Sequence, residues 1–165
     1  MTKSILRKYA KLIVKMGVNI KKGQGAVILA DTAQSEIALM VAEEAYRAGA
    51  KWVDIRWTNQ DLDKMRYKKE SVKVLSATQE WEKARMQYEL DELPVRIWID
   101  SDDPDGLKGV NVEKMQKANL ARMKVRKPYR DAMENKYQWT IVAVPSAKWA
   151  KKVFPHETKT RAVEK

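Results

Sequence analysis

The sequence predicts an α/β fold: an open, largely parallel sheet with helices on both faces, in a single domain. Three observations predict it. Short apolar runs of strand length alternate with stretches of helical periodicity along the whole chain. The runs are nearly continuous in apolar character, as suits parallel strands covered on both sides. The chain has 165 residues, with no Gly/Ser-rich linker and no repeat of fixed period, a length that suits one domain.

Ile5, Tyr9, Leu12, Ile13 and Met16 recur at helical spacing and predict a first helix from Lys3 to Met16, with Gly17 as its C′ residue. Gly25 to Ala30 reads as a buried strand. Asp31 or Thr32 would cap a second helix, which carries Ile37, Met40, Val41, Ala45 and Ala48 on one side and ends near Gly49. Trp52 to Trp57 is rich in strand formers. Asn59 and Asp61 suit the cap of a short helix through Met65. Ser71 and Thr78 suit further caps, the latter for a helix with Trp81, Met86 and Leu90 that reaches Glu92. Val95 to Ile99 reads as a third strand and Ser101 to Gly109 as a loop. A long helix starts at Asn111, with Pro128 as a kink or boundary. Trp139 to Val144 is a fourth strand, and Pro145 and Ser146 open a last helical segment with Trp149 and Val153.

Composition excludes several chemistries. There is no cysteine, hence no disulfide, thiol nucleophile, zinc ribbon or iron–sulfur site. A cysteine-free chain fits a reducing cytoplasm. His156 is the one histidine, so a two-histidine metal site is impossible within these residues. No stretch is apolar enough to span a bilayer. Met1 to Met16 alternates basic and apolar residues and lacks the continuous apolar segment of a secretory signal.

The motifs are weak in isolation. No glycine lies between Gly25 and Gly49, so the first strand-to-helix turn lacks a dinucleotide or phosphate loop. Asp100, Asp102, Asp103, Asp105 and Gly106 suggest a calcium loop, but Pro104 and Asn111 occupy positions that need ligands, and a solvated turn is expected. Ser35, Ser101 and Ser146 lie near strand ends without an identifiable base. His156 is expected at the surface. Trp52, Trp98 and Trp139 are expected in or near the core, while Trp57 and Trp149 sit near element ends, where aromatics can line an interface. Residues 101–165 carry 15 basic and 8 acidic side chains, and Arg122, Arg126 and Arg130 form an i, i+4, i+8 stripe. Such a stripe could meet nucleic-acid phosphates or form a charged seam. No RNA-binding motif accompanies it, so nucleic acid is not the expected partner.

Three long stretches carry a resemblance. They are Lys8 to Val14 followed by Gly17 to Gln24, Ala42 to Trp57, and a set made of Lys127 to Arg130, Trp139 to Pro145 and Trp149 to Pro155. Arg66-Tyr67 and Asp103-Pro104-Asp105 match in order between them. In these residues the chain resembles the N-terminal region of the M29 family, the thermophilic-type metallo-aminopeptidases that include aminopeptidases S and T. The resemblance implies exopeptidases that remove N-terminal residues from peptides with a pair of divalent metals, zinc, cobalt or similar. Those metals sit in a C-terminal catalytic domain. None of that domain's motifs occurs here, so no catalytic, cofactor-binding or metal-binding role is carried over to any position. The chain stops at Ala162 to Lys165 as though a helix were cut short. Residues 1–165 are therefore expected to be the non-catalytic N-terminal domain, with the catalytic domain absent and the chain inactive alone. The resemblance further implies that this domain walls the active site and contributes to a homodimer. An independent interaction module is the alternative.

Overall fold

A computed structural model describes residues 2–164, with Glu164 described in its backbone only. Met1 and Lys165, the ends of the two terminal stretches read above, lie outside the described residues. The chain forms two compact units. Unit 1 contains residues 1–59, 94–104 and 138–165, and unit 2 contains residues 60–93 and 105–137.

Unit 1 is the α/β unit. Its strands are β1 (Gly25–Asp31), β2 (Trp52–Thr58), β3 (Val95–Asp100) and β4 (Trp139–Ala143), all parallel, in the order β2-β1-β3-β4. All four strand expectations stand to within a residue. The register aligns Ile55, Ile28 and Ile97 in one row and brings Ala30, Ile99 and Val142 together in another. Because side chains alternate along a strand, this face carries the apolar core. Helices α1 (Lys3–Leu12) and α2 (Ser35–Arg47) bury Leu6, Ala10, Ile37 and Val41 in that core. Two shorter helices, α7 (Ala147–Val153) and α8 (Lys159–Glu164), follow β4. The α/β class with an open parallel sheet is the observed fold.

Several local expectations are corrected. Gly17 is not the C′ residue of the first helix. The helix opens into a π turn over Ile13–Gly17, where the Val18 amide donates to the Ile13 carbonyl at 3.0 Å. The left-handed residue beyond it is Asn19, at φ 44°. Gly17 is there for space, since a Cβ would lie 3.3 Å from the Thr140 side chain. Asp31 caps a short 3-10 turn (Thr32–Gln34) that precedes α2, accepting from the Ala33 amide. Trp139 is 58% exposed and not in the core. It stands on edge strand β4, on the face opposite α1 and α2, and meets Trp98 edge-on at 6.4 Å.

Two glycines have structural reasons. Gly49 has φ +96°, a conformation that side chains resist, and its carbonyl accepts from the Gly23 amide at 2.8 Å. Gly25 lies beneath the ring of its register partner Trp52, where a Cβ would overlap the indole. Gly25→Ala is expected to cost about 2 kcal/mol through overpacking, read as a lower urea midpoint with an unchanged slope.

Unit 2 is helical. It contains α3 (Gln60–Lys69), α4 (Val72–Ser76), α5 (Glu80–Glu92) and α6 (Val112–Met133), with α4 and α5 packed on α6. The short helix expected to stop at Met65 runs four residues further. Ser71 caps α4 as expected, accepting from the Val74 amide. Thr78 does not cap α5. Gln79 does, in a reciprocal capping box with Glu82. The Thr78 hydroxyl is buried and makes no hydrogen bond among the described residues. Asn111 caps α6. Pro128 lies inside α6 without ending it. Both Pro128 and Lys124, whose carbonyl loses its helical partner, are exposed, so water can meet that carbonyl.

Candidate functional site

In an open parallel sheet, ligands bind outside the carboxyl ends of the strands, where the strand order reverses. Here that point lies between β1 and β3. The polar groups there serve local structure. The Gln34 amide donates to the Val144 carbonyl at 3.1 Å, and the Val144 amide donates to the Asp100 carbonyl at 2.9 Å. These bonds tie the segment after β1, and the end of β3, to the residue just after β4. The Asp31 carboxylate holds the Ala33 amide at 2.8 Å, and Asn59 donates to the Thr32 hydroxyl at 3.0 Å.

The candidate nucleophiles fare no better. Ser101 is buried just after β3. Ser146 caps α7, accepting from the Trp149 amide at 3.2 Å, and Ser35 begins α2. His156 is exposed beyond α7. In the acidic loop, the Asp100 carboxylate accepts from the Asp102 amide at 3.4 Å, and Asp103 lies 3.9 Å from Lys148. Among the described residues, no group of three or more His, Asp or Glu side chains is placed to hold a metal ion.

The arginine stripe has a different fate from the one its spacing suggests. Arg122 turns onto unit 2 itself. It pairs with the Glu82 carboxylate and donates to the Ala77 carbonyl at 2.6 Å. Arg126 reaches 4.0 Å from the same carboxylate. Arg130 and Lys127 both face Asp131. Burial pushes the Glu82 carboxyl up, but the Gln79 amide, Arg122 and Arg126 together outweigh it and hold the group below the usual glutamate range. Glu82 is thus the organising side chain of unit 2, and it was not among the residues singled out from sequence. The available signal was the Gln79-x-x-Glu82 spacing of a capping box. The acceptor role toward α6 has no local signature.

Comparison with known proteins places this geometry. The sequence model of the family described as "Thermophilic metalloprotease (M29)" matches residues 2–165. The chain belongs to the M29 family. This M29 chain is 34% identical over 155 residues to aminopeptidase PepS of Streptococcus thermophilus, covering 93% of this chain and 38% of PepS. It is 31% identical to aminopeptidase AmpS of Bacillus subtilis, covering 96% of this chain and 39% of AmpS. The structure of wild-type AmpT from Thermus thermophilus superposes with a TM-score of 0.87 at 29% identity, over 98% of this chain and 41% of that one. The M29 chain therefore spans about two fifths of the length of these relatives. The family name implies a metal, and the described residues of this chain do not fit one: the single histidine is exposed, and no cluster of ligand side chains surrounds it. No helix among the described residues is long and apolar enough to cross a membrane.

Proposed function

We propose that this chain is the non-catalytic N-terminal domain of a metal-dependent aminopeptidase that removes N-terminal residues from peptides. One observation carries the reading. The family match runs through residues 2–165 of a chain that spans only 38–39% of relatives named aminopeptidases, and no described cluster of side chains suits a metal. In this reading the two divalent metals, zinc, cobalt or similar, belong to a C-terminal catalytic region that is this domain's main partner. The domain walls the active site, so that peptides enter and folded proteins do not, and it contributes to a homodimer in the cytoplasm. The outer face of β4 supports a contact role. Trp139 and Ile141 are 58% and 61% exposed on an edge strand, an apolar surface of the kind that contacts bury.

The test is hydrolysis of leucyl p-nitroanilide by the purified chain with zinc or cobalt added. No turnover above the protein-free blank is expected. Metal-dependent turnover that a chelator abolishes would contradict the assignment.

A further inference from the structure

The alternation of basic and apolar residues along the first helix has no part in the aminopeptidase reading. The first acidic residue of the chain is Asp31, and seven basic residues precede it. Five of these lie on α1 or its π turn. The inward side of the helix is fixed in the core of unit 1 by Leu6, Ala10, Ile13 and Val14. On the outward side Arg7, Lys8, Lys11 and Lys15 are exposed. Ile5, Leu12 and Met16 are 51%, 54% and 75% exposed. Helical spacing puts these groups on one face. Leu12 is seven residues after Ile5 and Met16 four after Leu12, which makes a line along the helix. Lys8 and Lys15 stand three residues after Ile5 and Leu12, beside that line. The neighbouring carboxylates are engaged elsewhere. Helix α2, which packs against α1, carries Glu36, Glu43 and Glu44. Glu36 pairs with Lys3 at 3.5 Å, and Glu43 and Glu44 both pair with Arg47. Strand β4, which packs against the π turn, carries no charged residue. Among the described residues, Arg7, Lys8, Lys11 and Lys15 make no ion pair.

We propose that the outward face of α1 and its π turn docks on an anionic lipid surface. The four cations meet the headgroup charges, while Ile5, Leu12 and Met16 enter the boundary between headgroups and acyl chains. Charge complementarity and the apolar line point to the same occupant. A nucleic-acid backbone would use the cations and leave the apolar line in water. An acidic polypeptide would need its own apolar residues in matching register, whereas a bilayer interface supplies anionic and apolar contacts without any register. Long lysine side chains suit this geometry, because their stems cover apolar surface while the ammonium reaches the headgroups. The contact is peripheral and spans nothing. The inference goes beyond the aminopeptidase reading and does not rest on it.

The whole chain is sedimented with sucrose-loaded vesicles of equal parts phosphatidylglycerol and phosphatidylcholine, and with vesicles of phosphatidylcholine alone. Binding to the mixed vesicles is expected to be more than about tenfold tighter and to weaken as salt rises. The double variant Lys8→Gln, Lys15→Gln is expected to bind the mixed vesicles about twentyfold more weakly, since each basic residue near an anionic surface is worth about fivefold. Met16→Ser is expected to weaken binding about fivefold while leaving its salt dependence unchanged. The double variant Lys68→Gln, Lys69→Gln removes the same charge from α3 and is expected to change binding by less than about twofold. Circular dichroism checks that each variant is folded. Four results would overturn the proposal: no binding to the mixed vesicles, equal binding to both kinds of vesicle, an equal loss in the α3 variant, or full binding by Met16→Ser. Capture by polyglutamate or duplex DNA in place of the vesicles would assign the face to an acidic polypeptide or a nucleic acid and overturn it too.

Discussion

Ile97→Ala is expected to destabilise unit 1 by about 4 kcal/mol. Ile97 is fully buried at the centre of β3, which has β1 on one side and β4 on the other. It stands beside Ile28 in the register, in the core that α1 and α2 cover. Removing three carbons there loses their transfer energy and leaves a cavity, because neither backbone ladder can close in. Ile97→Val keeps most of the volume and is expected to cost about 1 kcal/mol. Urea unfolding followed by circular dichroism measures both. Equal effects of the two substitutions would show that the site collapses freely and that the core is not packed as described.

Glu82→Gln is expected to destabilise unit 2 by about 2 kcal/mol, less than a fully buried pair because the Arg122 side chain is 21% exposed. The substitution leaves the Arg122 guanidinium without its counter-charge and weakens the capping box of α5. Unit 2 has few buried apolar side chains to compensate, Leu75, Ala118 and Met133 among them. The pH dependence follows from the sign of the shift. The folded-state pKa of Glu82 lies below the ordinary value of 4.5, so its contribution is complete above that value. The contribution is lost as pH falls through the lower, folded-state pKa. The wild-type chain is therefore expected to lose more stability than Glu82→Gln on acidification below pH 4.5. Parallel losses in the two proteins would place the acid sensitivity elsewhere. The double variant Glu82→Gln, Arg122→Met is expected to cost less than the sum of the single changes.

What the sequence makes legible is what local pattern determines. GAVILA and VRIWI are apolar strand-length runs bounded by turn residues, and both are strands. Ser71, Asn111 and Ser146 are caps because their side chains need only an amide three residues on. The misreadings have distant or reciprocal causes. The π turn at Ile13–Gly17 accompanies the close approach of Gly17 to Thr140 on β4, which local periodicity does not reveal. Trp139 has the composition of a core residue, but the strand order puts it on an edge. The Arg122, Arg126 and Arg130 stripe is visible as a helical face. Its acceptor, Glu82, is 40 residues from Arg122, so spacing alone does not distinguish an outward-facing patch from an internal clamp. The candidate site follows the same division. One histidine and no cysteine limit the metal ligands these residues can offer, whereas the bond from the Gln34 side chain to the Val144 carbonyl is a property of the folded chain.

The size of the native protein tests the central claim most directly. An antibody raised against this 19.1 kDa chain is used to probe an extract of the source cells. The expected result is a band at roughly two and a half times that mass, the length ratio of the M29 relatives. A single band at 19.1 kDa would contradict the assignment to the front of an aminopeptidase and make the chain an independent interaction module.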